Sequence, residues 1–160
     1  MPRGSTKADK IAALISAFRT SGNLDRAFDN HAAEALGVNP TDLHCLNIVE
    51  NRDGMTAGAL AAEAGLTTGA VTGVIDLLER AGYARRVPDP VDRRRVRIKV
   101  TDRFYARADE IWHPVATEWH AQLARRFTGG QLDLITEFLN ATNDLTRRHL
   151  ERERPGPRPG

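Results

Sequence analysis

One cysteine, Cys45, is all the chain contains, which excludes an internal disulfide framework and any zinc site built on several thiolates. No run approaches the roughly 18 consecutive apolar residues that a membrane-crossing helix needs, and Met1 to Lys7 lacks the apolar stretch of a signal peptide. Catalytic signatures are missing too: there is no nucleophile motif, no glycine-rich phosphate loop and no carboxylate pair at a telling spacing. Internal repeats are also absent. These gaps predict a cytoplasmic protein that is not an enzyme, carries no cofactor or metal and is held together by packing alone.

What is present suffices for that packing. The chain has 160 residues and is 41% apolar, enough for one domain, or one domain with an extension, around a real core. Its charge is nearly balanced, with one exception. Arg80 to Arg103 holds nine Lys/Arg and three Asp/Glu, a local +6 against +2 for the whole chain, so the remainder carries about −4. Within that segment Val96, Ile98 and Val100 alternate with Arg95, Arg97 and Lys99, the period of a strand, and Asp89-Pro90 marks the turn of a two-stranded ribbon. An arginine-rich hairpin in a balanced chain points to a polyanion-binding surface.

Helical periodicity governs the rest. Lys7 to Leu36 reads as a long helix capped by Thr6 with Asp9 and stopped by Gly37, with Ser21-Gly22-Asn23 as a candidate bend or break. Asn39-Pro40 supplies an N-cap and a first-turn proline for a short helix with Leu43, Leu46, Ile48 and Val49 inside. Thr56 and Thr67 each cap a further short helix, separated by the tight turn Ala64-Gly65-Leu66, which is a helix-turn-helix pattern. In the second of these Val71, Val74 or Ile75, and Leu78 face inward, whereas Thr68, Gly69, Thr72 and Gly73 face outward. Thr101 and Asp102 open a long helix to about Phe127, with Pro114 as a kink, and after Thr128-Gly129-Gly130 a last helix runs to about Leu150. The Pro-, Gly- and charge-rich tail from Arg154 reads as disordered.

Three segments in order, Gly65-Leu66-Thr67-Thr68-Gly69-Ala70-Val71-Thr72, Leu78-Glu79-Arg80-Ala81-Gly82-Tyr83 and Asp89-Pro90-Val91-Asp92-Arg93-Arg94 followed by Val100-Thr101, resemble the MarR family of winged helix-turn-helix regulators. The likeness is close over Leu36 to Thr101, and outside it only the order and length of the helices match. It implies a mainly α fold with a small β-wing: residues 1–36 and 102–153 as dimerisation helices, 37–101 as the DNA-binding domain and 154–160 as a tail. It further implies a homodimer on a pseudo-palindromic double-stranded operator, acting as a repressor released by a small aromatic or anionic effector. By the family pattern Arg94 enters the minor groove and Asp92 is its structural partner. One departure is Phe104, where the family commonly has Gly, and it bears on how the long helix starts.

Residue chemistry assigns the DNA contacts. Thr68, Gly69 and Thr72, on a helix spanning about 67–81, suit close approach to base edges in the major groove, while Gly69 and Gly73 cost about 1 kcal/mol each relative to Ala and so need a reason. Groove approach and helix packing are the two candidates. Because that face has no Arg, Asn or Gln in its first turns, specificity leans on the wing and on DNA shape. Asp92 can hold one guanidinium of Arg93 and Arg94 while the other enters an A·T-rich minor groove. Arg85, Arg86, Arg95 and Arg97 read as phosphate contacts or solvated charges, two of the four facing DNA, and the helix starts at Thr56 and Thr67 add N–H donors for phosphates.

Other residues have competing readings. Cys45, between apolar neighbours with no basic group adjacent in sequence, reads as a buried thiol rather than a redox sensor. His113 and His120 share a helix face and, with His31 or His44, form a candidate metal site that core or interface packing explains better. Trp112 and Trp119 either line a cavity or pack at an interface. An effector pocket between flanking helices and winged domain is assigned to Phe28, His31, His44 and Trp112. Outside the regulator class, the alternative is a helical module whose basic hairpin binds an acidic protein partner; within it, a regulator without an effector.

Overall fold

The computed structural model describes residues 5–52 and 54–153. The reading of the tail from Arg154 as disordered, like Asp53 of the Asn51–Gly54 turn, lies outside them. Six helices and two strands follow in the order α1 (Lys7–Leu36), α2 (Pro40–Asn51), α3 (Ala57–Ala64), α4 (Thr68–Ala81), β1 (Ala84–Pro88), β2 (Val96–Val100), α5 (Asp102–Arg126) and α6 (Gly129–Glu153). The chain separates into two compact units between Ile111 and Trp112.

The helix boundaries are set by local chemistry. Thr6 and Asp9 form a reciprocal capping box at α1, and Gly37 closes it at φ 70°, a left-handed conformation that costs glycine little. Ser21-Gly22-Asn23 does not break this helix, because one interior glycine costs about 1 kcal/mol, too little to end an otherwise continuous hydrogen-bond ladder. Asn39 caps α2 with Pro40 in the first turn. Thr56 and Thr67 accept from the amides of Ala59 and Ala70, at 3.3 and 3.2 Å, and start α3 and α4. The two helices meet at 109°, within the range of a helix-turn-helix. α6 continues to Glu153, a few residues beyond the expected Leu150, as no glycine or proline intervenes.

The core of the first unit gathers side chains from every element around the helix-turn-helix. Leu43, Leu46 and Val49 of α2 meet Leu60 of α3, Val71, Ile75 and Leu78 of α4, Ile98 of β2 and Phe104 of α5, all nearly inaccessible to solvent. Ala32, Ala33 and Leu36, in the last turns of α1, are buried as well. Tyr83 ties the periphery together: its hydroxyl donates to the carbonyl of Leu36 at 3.1 Å, and its ring meets Phe104 edge-on with centroids 6.1 Å apart. Thr101 donates to the carbonyl of Gly82 and accepts from the amide of Phe104, so α5 starts cleanly, and the phenyl group where the family commonly has Gly is a core residue.

β1 and β2 pair antiparallel with Arg86 opposite Ile98. A third strip of backbone joins them, which the alternation did not reveal: Met55 and Ile98 exchange both backbone hydrogen bonds, at 3.1 and 2.7 Å. Just before it Gly54 sits at φ 93°, and a Cβ there would lie 2.8 Å from the Lys99 side chain and 2.9 Å from the Ile98 carbonyl oxygen. Only glycine fits that turn.

The second unit and the outer part of α1 are packed differently. α6 has no buried residue. Ile11, Leu14, Ile15, Phe18 and Leu24 of α1 are exposed, and so are Trp119 and Leu123 of α5 and Leu134, Leu145 and Leu150 of α6. Among the described residues no single helix is long and apolar enough to cross a membrane.

Candidate nucleic-acid interface

The exposed side of α4 is formed by the turns that its cap creates. Thr67 holds the first turn through its hydroxyl oxygen, and from there Thr68, Gly69, Thr72 and Gly73 lie on the exposed face while Val71, Val74, Ile75 and Leu78 are buried. The division follows the helical period, as the sequence predicts. Thr72 donates its hydroxyl proton to the carbonyl of Thr68 at 3.0 Å. A Cβ built on Gly69 or Gly73 meets nothing within 4 Å. Of the two reasons offered for these glycines, packing against another helix of the first unit is thus removed. Thr56 is half-buried, its oxygen engaged in capping α3.

Acidic residues on the same helix are directed elsewhere. Arg86 of β1 bonds Asp76 at 2.8 Å and pairs with both the side chain and, through its own amide, the carboxylate of Glu79. These contacts, that to Asp76 foremost, raise the Arg86 pKa further above its already high ordinary value. The sequence reading placed Arg86 among phosphate contacts or solvated charges; it is instead a clamp between β1 and α4. Arg97 is likewise engaged, bonding the Gly54 carbonyl and lying 3.8 Å from Asp89. Arg85 and Arg95 remain on the exposed surface. Arg86 lies seven and ten residues from Glu79 and Asp76, and only the fold of β1 back along α4 unites them.

The wing tip is organised by Asp89, which the sequence marked only as part of a turn. Its Oδ1 accepts from the amides of Val91 and Asp92, at 2.8 and 3.1 Å, and these bonds hold its pKa below the ordinary carboxylate value. Asp89 and Arg95 also bond through their backbones at 2.9 Å. Within the loop so closed, Arg95 donates its amide to the Asp92 carbonyl at 2.8 Å, a turn that brings residue 95 over residue 92. Asp92 therefore faces Arg95, at 3.6 Å, rather than the guanidinium of Arg93 or Arg94; its other oxygen accepts from the Arg94 amide at 3.1 Å. Its partnership with Arg94 runs through backbone. Arg93 and Arg94 are exposed at the tip. An Asp-Pro-x-Asp spacing is the signal that could have named Asp89, since a side chain accepting amides two and three residues on is a common turn device.

The residues assigned to an effector lie on three helices, α1, α2 and α5. Phe28 is half-buried and His31 exposed on α1; His44 is exposed on α2, where it acts electrostatically on Asp29. Trp112 belongs to the second unit. A cavity of about 480 Å³ in that unit is lined by Val115, Glu118, Trp119, Leu123, Arg126 and Phe127, among others, and includes none of those four. Among the described residues no group of three or more His, Cys, Asp or Glu is placed to hold a metal ion. Cys45 is fully buried, and burial, with Asp42 nearby, pushes its thiol up to about 11.

Comparison with known proteins agrees with this geometry. Residues 36–95 match the model of the MarR family. An uncharacterised helix-turn-helix transcriptional regulator of Bacillus subtilis, YcgE, is 36% identical over 95% of this chain and 98% of its own length. Among solved structures, a mutant MarR from E. coli complexed with operator DNA superposes with a TM-score of 0.52 at 20% identity, covering 86% of this chain and 99% of that one. MepR of S. aureus bound to an oligodeoxyribonucleotide gives 0.54 at 18% identity, covering 83% and 97%. A chain that aligns with the YcgE regulator over 95% of its length, and whose capped helix pair and ribbon have this geometry, belongs to the MarR family of winged helix-turn-helix transcriptional regulators.

Proposed function

We propose that this chain is a cytoplasmic, homodimeric repressor that binds a pseudo-palindromic operator, with α4 in the major groove of each half-site and the wing tip, residues 92–94, in the adjoining minor groove. Residues 37–101 act as the DNA-binding domain, and residues 1–36 and 102–153 as dimerisation helices. The observation that supports this most is the joint build of α4 and the ribbon: an exposed, unobstructed helix face is fixed by the Arg86 clamp to a loop that carries Arg93 and Arg94 outward. Guanidinium groups there suit the negative potential of a narrow A·T-rich minor groove. Thr68, Thr72, Arg85 and Arg95 supply contacts to bases or phosphates, and the amides at the starts of α3 and α4 add donors.

Dimerisation gives the apolar residues left exposed on α1, α5 and α6 a partner surface and spaces two recognition helices by about one DNA turn, roughly 34 Å. A small aromatic or anionic effector that binds better to a dimer with another spacing releases the operator. Salt titration of full-length protein with a selected duplex against a scrambled one tests the central reading. Sequence preference persisting across salt is the expected result, and equal affinity for both duplexes at every salt would refute it in favour of an acidic protein partner. Substituting Arg94 with Ala weakens binding chiefly at A·T-rich sites; unchanged affinity and preference would remove it from the minor groove.

A further inference from the structure

We propose that α4 reads thymine through the 5-methyl group, with Thr72 as the specificity-determining residue and Gly69 and Gly73 as the openings that let it reach the base. This rests on α4 entering the major groove and names what it recognises there. The argument starts from what the helix cannot offer. Between Thr68 and Leu78 it has no Arg, Lys, Asn or Gln, so bidentate recognition of guanine or adenine is closed to that stretch. Asp76, which could accept from the cytosine amino group, is bonded to Arg86. The Thr67 oxygen accepts from the Ala70 amide, and the Thr72 proton is donated to the Thr68 carbonyl. Donation from Thr72 to a base would break that bond.

What the exposed Thr72 can present without rearrangement is its methyl group and an oxygen that only accepts, beside two glycines whose missing side chains leave open space within 4 Å. Neither glycine has a positive φ, so backbone conformation does not require them. Methyl-to-methyl contact in the major groove distinguishes A·T from G·C, because only thymine carries a C5-methyl there. Each contacted methyl is worth about 0.8 kcal/mol of buried surface, or about fourfold in affinity.

The experiment uses duplexes selected from a random pool by the full-length protein, each then remade with deoxyuridine for thymidine, a change that removes the 5-methyl and leaves every Watson–Crick group in place. Wild-type protein is expected to lose about fourfold for one contacted thymine and about 16-fold when both half-sites are changed. Thr72→Val keeps the methyl without the hydroxyl and retains the uracil penalty, whatever its absolute affinity. Thr72→Ser keeps the hydroxyl without the methyl, binds the thymine duplex about fourfold more weakly and no longer distinguishes it from the uracil duplex. Thymine-to-uracil exchange without effect on the wild type, or a full penalty persisting in Thr72→Ser, overturns the inference while leaving the regulator reading intact. A selection that enriches no sequence overturns both.

Discussion

The helix-turn-helix with its ribbon and the outer helices are built from similar proportions of apolar residues, yet they dispose of them in opposite ways. Around α2 to β2 and the start of α5 most large side chains are enclosed within one chain: Leu43, Leu60, Ile75, Ile98 and Phe104 are almost without solvent contact. Along α6 none is enclosed, and on the first two-thirds of α1 an apolar row lies open. Length alone does not cause this, since α1 and α6 are the longer helices with ample surface to pack. A stable single chain rarely leaves so many aliphatic groups in water. One region is thus complete in a single chain, and the other leaves its apolar rows open.

The largest test of that contrast is Phe104→Ala. Its phenyl group lies inside the complete region, and its removal should lower stability by about 3–5 kcal/mol, by an amount independent of protein concentration in denaturant titration. A loss below about 1 kcal/mol, or one that grows on dilution, would erase the distinction. Next in size is a charge placed in the open region. Ile15→Glu combined with Trp119→Glu should yield a monomer by sedimentation under conditions where wild-type protein should sediment as a dimer, and should weaken binding to a two-half-site duplex by about 100-fold. An unchanged dimer would mean that these residues, 54% and 61% exposed, serve another purpose.

Much of the fold was legible in residue patterning, but the contrast itself was not. The caps at Thr6, Asn39, Thr56 and Thr67, the inner face of α4 and the ribbon's alternation all follow from local chemistry, so sequence spacing carries them. Whether an apolar stripe is buried in its own chain is not local: the stripes of α1 and α2 look alike as strings, and only packing separates Leu46 from Ile15. For the same reason the clamp of Arg86 on Asp76 and Glu79 was hidden, because it depends on β1 turning back along α4, whereas the exposure of Thr68, Gly69 and Thr72 followed directly from the period. Asp92 was read as the holder of a neighbouring guanidinium, and the turn at 92–95 moved that contact one residue on, to Arg95.

A smaller effect separates stability from binding on the complete side. Gly73→Ala adds a side chain in open space on a helix, so stability should rise by about 1 kcal/mol while operator affinity falls. Paired changes of the same sign would argue against any role of this face in the groove. Smallest is the alkaline response of Cys45. Its pKa is raised in the folded state, so its contribution is intact below the ordinary thiol value and is lost as pH climbs from there through about 11, because the unfolded chain ionises first. Cys45→Ala should flatten that decline in a urea titration series, and native protein should react with a thiol reagent only at the rate of opening. Fast labelling of native protein at neutral pH would show that this core is less closed than the burial of Cys45 indicates.

The hydrogen bonds exchanged by Met55 and Ile98 have a consequence for how such a protein can change over generations. They join main chain to main chain, so they survive replacement of either side chain by any residue that tolerates an extended backbone. The base of the ribbon therefore stays in register while the tip between Pro88 and Val96 is rewritten. A lineage can trial new tip residues one substitution at a time, with the frame that carries them inherited intact.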